Sequence, residues 1–351
     1  MDRPAATAAQ PDTRLRGAVR DALGTDVTRI EAIPGQLGLR RFLRVFLASG
    51  RPATLIARID APEDPSGRPG GAKPEPPLEP IRAFLEHHGL PVPRRYGGVA
   101  GLDLLEDLGS QSLADAAAAA PDERRALYAQ ACDLVPRLQA LRDPGGGIAA
   151  FERRLDAGLF AYKADVFARW SLPERGHSPS AAELRAVREA FAFIAGVCER
   201  APERLAHRDL QSTNLLVVGA ATRRIAMIDL QGAFLAPPEY DLVCLLRDSY
   251  VELPEAEVRG QLDRVRPRLP DAPDADSFAR RFDLLTLTRK GKDHARFVMA
   301  ARERGDPRFL RFVPATVRAL RAAAGRAAAA EPQLARLAEL VHALPETACA
   351  R

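Results

Sequence analysis

Polar and apolar residues alternate along Arg41-Phe42-Leu43-Arg44-Val45-Phe46-Leu47, and Thr54-Leu55-Ile56-Ala57-Arg58-Ile59 is a second strand-like run, with Gly50-Arg51-Pro52 between them. A period of two marks a strand with one buried face, and a turn signal between two such runs predicts a β-hairpin. Before it, residues 12–24 read as a short amphipathic helix stopped by Gly24. Residues 61–80 hold seven prolines and read as a loop. A helix is expected over 79–88, closed by Gly89, and a last strand over Leu102-Asp103-Leu104-Leu105-Glu106. Beyond Gly109 the pattern turns helical, over 110–142, 151–170, 180–200, 238–250, 255–268, 275–303, 308–326 and 331–344. Only 205–235 breaks it, with short apolar runs. Strands first and helices later predict an α+β chain with a small β-rich lobe over 1–107 and a larger, mainly helical lobe over 108–351.

The interrupting segment carries the chemistry. His207-Arg208-Asp209-Leu210-Gln211-Ser212-Thr213-Asn214 is followed by Ile225-Ala226-Met227-Ile228-Asp229-Leu230-Gln231. An asparagine thus lies five residues after Asp209, and a second aspartate twenty residues after it. Kinase-fold enzymes use this spacing to set a base beside a hydroxyl and to hold Mg²⁺ against ATP. Asp209 is the expected catalytic residue. Asn214 and Asp229 offer the oxygen ligands that a hard divalent cation takes. His207 and Arg208 are expected to brace the loop.

Composition narrows the alternatives. The 351 residues are 46% hydrophobic, enough for a large core in two lobes. No apolar run has the length of a membrane span, and the N-terminal residues lack the apolar centre of a secretory signal. Four scattered cysteines form no Cys-x-x-Cys pair, which fits a reducing cytoplasm. The net charge of +5 comes from arginines dispersed among acids, pointing to phosphate chemistry rather than to nucleic acid. A soluble monomer or weak homodimer is expected. Serine-hydrolase, zinc-protease and P-loop signatures are all missing from the sequence.

The motif resembles that of the aminoglycoside phosphotransferase and choline kinase superfamily. Ile228-Asp229-Leu230-Gln231 and Tyr240-Asp241-Leu242-Val243-Cys244-Leu245-Leu246-Arg247-Asp248 are similar to its anomeric sugar kinases of bacterial cell-wall recycling. Leu104-Leu105-Glu106-Asp107-Leu108-Gly109, Arg40-Arg41-Phe42-Leu43-Arg44-Val45, and Arg289, Lys292 and Phe297 extend the resemblance. It implies a two-lobed protein-kinase-like fold, and transfer of the γ-phosphoryl group of ATP to the C1 hydroxyl of N-acetylmuramate or N-acetylglucosamine. It also implies purine contacts near Leu105 and Glu106, a brace at Asp241, and acceptor contacts from Gln211, Gln231, Arg247, Asp248, Arg289 and Lys292.

The chain departs from the pattern in several places. Gly35-Gln36-Leu37-Gly38-Leu39-Arg40 is not a regular glycine loop, so Gly38 fits either a backbone approach to phosphate or an ordinary turn. Arg58 stands where kinases carry a lysine, with Glu79 as its natural partner. Lys163 precedes Val166-Phe167-Ala168-Arg169-Trp170 where relatives carry an acid, and Thr288 and Lys290 replace the usual Gln and His. Tyr162 and Trp170 are read as core aromatics over sugar-stacking ones. Arg247 and Asp248 fit an acceptor contact or a surface ion pair equally. Two other functions therefore stay open: a kinase for an aminoglycoside, amino alcohol or other sugar, and a nucleotide-binding pseudokinase. The choice of ATP over GTP is not legible.

Overall fold

The computed structural model describes residues 9–34, 40–60, 75–118, 120–219 and 222–347. They fall into two compact units, residues 1–73 with 91–110, and residues 74–90 with 111–351. Gly38 lies outside the described residues.

The first unit holds helix α1 (Ala9–Leu23) and strands β1 (Val27–Ile33), β2 (Arg41–Leu47) and β3 (Thr54–Ile59). Strands β4 (Arg95–Val99) and β5 (Leu102–Glu106) complete an antiparallel sheet in the order β1-β2-β3-β5-β4. The alternation seen in β2 selects the buried face. Leu43 and Val45 pack with Leu55, Ala57 and Leu104 beneath Leu15 and Val19 of α1. The sequence does not announce β4, because Gly97 and Gly98 read as a loop. Both glycines are required sterically. A Cβ on Gly97 would stand 2.8 Å from the Cβ of Ala22, and one on Gly98 would lie 2.2 Å from the Leu102 carbonyl oxygen. Without side chains there, α1 lies directly on the edge strand.

The second unit begins with α2 (Leu78–His87), which lies between strands of the sheet in sequence but groups with the helices. The helix expected over 110–142 is two, α3 (Leu113–Ala116) and α4 (Pro121–Gln139), since Pro121 opens a new first turn. Next come α5 (Ala157–Val166) and α6 (Ala181–Cys198). A π-helical turn over Phe167–Ser171 and a 3₁₀ turn over Leu172–Arg175 follow α5.

Strand β6 (Arg204–Ala206) pairs with β9 (Phe234–Ala236), and β7 (Leu215–Val218) pairs with β8 (Arg224–Met227). Helices α7 (Tyr240–Leu246), α8 (Glu255–Val265), α9 (Ala275–Glu303), α10 (Val313–Ala330) and α11 (Ala335–His342) complete the unit. Local caps set several starts. Ser180 and Glu183 form a reciprocal capping box, and Asp274 accepts the Ser277 N–H at 2.9 Å to open the 29-residue α9. Among the described residues no helix is long and apolar enough to cross a membrane.

Candidate active site

Two short antiparallel ribbons of the second unit position the motif. Strand β6 delivers His207 and Arg208. Asp241, in the first turn of α7, accepts the His207 N–H at 2.7 Å and the Arg208 N–H at 3.0 Å, one on each carboxylate oxygen. Burial pushes the Asp241 carboxyl up, and the two N–H bonds and His207 oppose the rise. To present both N–H groups Arg208 adopts a left-handed conformation, φ 77°. Such a conformation is costly for a side chain with a Cβ and persists only where the surroundings fix it. Here the Arg208 carbonyl is held in turn by the Cys244 thiol at 3.3 Å and by an Arg289 N–H at 3.1 Å.

The next residue is Asp209. Its Oδ1 accepts Arg289 Nη1 at 2.8 Å, while Arg289 Nη2 reaches Gln211 Oε1 at 3.2 Å. Burial alone would raise the Asp209 carboxyl, but Arg289, Lys292 and Arg208 hold it well below the usual carboxylate range. Asp209 is therefore ionised across the physiological range. The Asp209 carbonyl accepts the Asn214 side-chain amide N–H at 2.9 Å, which turns the amide oxygen of Asn214 the other way. Ser212 N–H donates to Asp248 Oδ2 at 2.7 Å, and the Ser212 hydroxyl bonds the same oxygen.

The second ribbon brings Asp229 alongside. Leu215 faces Met227 in the β7–β8 register, and the ladder continues as Ile228 N–H to the Asn214 carbonyl at 3.0 Å. His207 Nε2 lies 3.0 Å from the Ile228 carbonyl, tying the ribbons together. Asp229 then takes a left-handed conformation, φ 65°, which re-aims its side chain at the end of the ladder. Gln231 Nε2 donates to Asp229 Oδ1 at 2.5 Å and fixes the carboxylate. Asn214 and Asp229 are thus a neutral and an anionic oxygen donor on adjoining backbone, a donor set that suits Mg²⁺.

Helix α9 supplies the cations. Arg289 is 2% exposed, and its Nε lies 3.4 Å from Asp293 Oδ2. Lys290 donates to Ser249 Oγ at 2.9 Å and to Asp293 Oδ2 at 2.7 Å. Lys292 lies 3.5 Å from Asp293 Oδ1 and is depressed to about 8 by burial and by Arg289. Gly291 leaves room for the Phe167 ring; a Cβ there would meet it at 3.2 Å. The motif itself gave no sign of Asp293. An acid four residues after an arginine on a helix reads as a surface pair, and only packing shows that it is buried.

Other sequence-selected residues are engaged elsewhere. Arg247 forms a two-pronged pair with Glu255, at 2.6 and 2.9 Å. Asp248 is buried and also accepts the Tyr250 N–H at 3.1 Å, so it braces the loop through Ser212. In the first unit Arg58 pairs with Asp103 and Asp60, each at 2.9 Å, Leu105 is buried, and Glu106 accepts the Arg94 N–H at 3.1 Å. Glu79, within the second unit, pairs with Arg82 at 2.6 Å.

Tyr162, expected in the core, is 37% exposed, and Trp170 is half-buried beneath Arg169. The buried stripe of α5 runs instead through Phe160, Lys163 and Ala164 to Phe167. Lys163 occupies a position in that stripe where an apolar residue is usual.

Comparison with known proteins agrees with this geometry. The profile of the phosphotransferase enzyme family (APH) matches residues 13–278. An N-acetylmuramate/N-acetylglucosamine kinase of Pseudomonas aeruginosa is 28% identical over 88% of this chain and 87% of its own length. Choline kinase LicA from Streptococcus pneumoniae superimposes with a TM-score of 0.59 at 13% identity, covering 92% of this chain and 100% of that one. The ADP-bound aminoglycoside phosphotransferase APH(2'')-Ib gives a TM-score of 0.56 at 12% identity, covering 89% and 97%.

Proposed function

We propose that this chain, which belongs to the phosphotransferase enzyme family and is a small-molecule kinase, transfers the γ-phosphoryl group of ATP to the anomeric hydroxyl of an N-acetylated amino sugar. The observation that carries the reading is the convergence of Asp209, Asn214 and Asp229 through one loop and one β-ladder. The curated kinase of Pseudomonas aeruginosa supports the sugar class, and the ADP-bound structural neighbour supports a nucleotide.

In this reading Asp209 accepts the hydrogen bond of the acceptor hydroxyl and orients it. Its depressed basicity beside Arg289 makes it a positioner first; the hydroxyl proton passes to Asp209 late, as the new P–O bond forms and the bond between the γ-phosphorus and ADP breaks. Asn214 and Asp229 would hold Mg²⁺, which when bound neutralises charge on the phosphates. Gln231 keeps the Asp229 carboxylate aimed, and Asp241 keeps the loop's backbone in register. Arg58, Leu105 and Glu106 are assigned to the nucleotide side, and Arg289, Lys292 and Gln211 to the acceptor side.

The test is ADP release with Mg²⁺ and ATP in the presence of N-acetylmuramate, N-acetylglucosamine, an aminoglycoside and choline. Phosphorus NMR of the product should show a sugar 1-phosphate. Turnover of choline or the aminoglycoside alone would shift the reading to another acceptor of the same fold. Absence of turnover with any of them would favour a nucleotide-binding pseudokinase.

A further inference from the structure

Lys163 is 5% exposed, and its Nζ has no hydrogen-bond or ion-pair partner among the described residues. Two aromatic faces approach it, Phe160 at 5.1 Å and Tyr240 at 5.2 Å from the ring centroids. The titratable groups that act on it are the cations Lys292 and Arg289 of α9 and the thiols Cys244 of α7 and Cys198 of α6. Burial pushes both thiols up to about 12, so they stay neutral. No carboxylate is among them. The carboxylates of this region are held by other cations, Asp293 by Arg289, Lys290 and Lys292, Asp209 by Arg289, and Glu239, which like Lys163 acts on Cys198, by Arg281.

A buried ammonium with two cations beside it and no anion is unfavourable unless something supplies the opposite charge. The protein alone leaves Lys163 with burial and repulsion, and both depress it to about 7. The cations that surround it include Arg289, which holds the reacting-side carboxylate Asp209. Just past Lys163 the helix takes up an extra residue in the Phe167–Ser171 π turn, a distortion often kept at functional sites.

We propose that the acceptor of this kinase carries an anionic substituent, a carboxylate or a phosphate, and that Lys163 together with Lys292 reads that substituent. The inference rests on the phosphotransfer reading above and names the acceptor class within it. An incoming anion restores the missing charge, keeps Lys163 protonated and forms charge-assisted hydrogen bonds that a neutral sugar cannot form. Lys163 is a specificity residue in this account, and it takes no part in the bond-making step.

The experiment compares pairs that differ in the anion alone as closely as available sugars allow. N-acetylmuramate is set against N-acetylglucosamine for the carboxylate, and N-acetylglucosamine 6-phosphate against N-acetylglucosamine for the phosphate. For the wild type, kcat/KM for one anionic member should exceed the neutral one by roughly 10- to 100-fold, the span expected of a charge-assisted hydrogen bond. In Lys163→Met that ratio should collapse toward one through KM, with kcat for the anionic sugar moving least, and Lys163→Arg should recover part of it. Lys163→Gln replaces the methionine variant if the latter does not fold.

A wild-type ratio near one, or a ratio that survives Lys163→Met, overturns the proposal. A ratio lost in Lys292→Met but kept in Lys163→Met overturns the assignment to Lys163. If the wild type turns over no sugar, the phosphotransfer reading for sugars fails by itself. Calorimetric binding of the same sugars to wild type and Lys163→Met then decides the anion question, with equal affinities counting against it.

Discussion

Arg289 donates to the Asp209 carboxylate at 2.8 Å, and the same guanidinium also reaches the Arg208 carbonyl and Gln211. One side chain from α9 thus sets the position and the basicity of the residue proposed as catalytic. Buried carboxylates ordinarily become weaker acids; Asp209 goes the other way because cations outweigh its burial.

Asp209→Asn keeps the size and most hydrogen bonds but removes the negative charge. Turnover should fall by roughly 10² to 10⁴ while nucleotide affinity is retained. Steady-state kinetics together with ADP binding check both halves, and near-normal turnover would remove Asp209 from the mechanism.

Arg289→Met removes the strongest charge that lowers Asp209 and leaves burial opposed only by Lys292 and Arg208. The carboxyl rises, so a higher pH is needed to ionise it. The acidic limb of the kcat/KM profile should move to higher pH than in the wild type. An unmoved limb would mean that Asp209 does not govern it.

Gln231→Leu leaves Asp229 in place but removes the 2.5 Å bond that aims it. Groups that orient a metal ligand are typically worth 10- to 100-fold in metal affinity. The Mg²⁺ concentration for half-maximal activity should rise by about that factor, with little change in melting temperature. An unchanged metal requirement would take Gln231 out of this role.

Asp241→Ala strands two buried backbone N–H groups, those of His207 and Arg208. Each unsatisfied donor costs about 1–3 kcal/mol, so a loss of roughly 2–6 kcal/mol is expected in urea unfolding. Asp241→Asn retains one acceptor and should lose less. Equal stability of the two variants would contradict the bracing role.

His294 is fully buried, bonds Ser171 Oγ at 2.8 Å through Nδ1, and is lowered by burial to about 4 from the ordinary 6.5. Its folded value lies below its unfolded one, so the unfolded chain binds the proton first as pH falls. The stability it contributes is complete above pH 6.5 and is lost progressively down to pH 4, on the order of 3 kcal/mol. Glu183, lowered to about 2 from 4.5 chiefly by its hydrogen bond from Arg175, keeps its full contribution above pH 4.5 and loses it only below that, at the low end of the window. Urea unfolding at pH 7, 5.5 and 4.5 should show a steeper loss in wild type than in His294→Leu, whatever the offset between them.

The pattern of the chain revealed most where local rules and packing agree. Helix α9 occupies the expected 275–303 because Asp274 caps it and buried apolar residues recur from Phe278 to Ala300, although Arg289, Lys290, Asp293 and His294 are buried among them. The hairpin β2–β3 follows its alternation and its turn. Strand β4 was hidden by Gly97-Gly98, of which Gly97 gives clearance to α1 and Gly98 to the Leu102 carbonyl, rather than forming a turn. That Asp209, Asn214 and Asp229 lie on adjoining backbone follows from their spacing, which spans one loop and a two-stranded ribbon; their proposed roles await the kinetic tests above. Arg247 and Asp248 were ambiguous because neighbours in sequence part in space, one toward Glu255 and the other into the core against Ser212. Tyr162 was misplaced because Lys163, not a hydrophobe, fills the buried stripe of α5. A lysine on an otherwise apolar stripe was the available sign of that site.

If Asn214 and Asp229 hold a cation as proposed, the ladder bond between Asn214 and Ile228 has a mechanical meaning for its capture. Both donors ride on a single stiff platform, so rearrangements elsewhere in the fold carry them together instead of pulling them apart. A chelating pair already assembled loses little disorder when the ion arrives, and selectivity is then set by the spacing built into the platform.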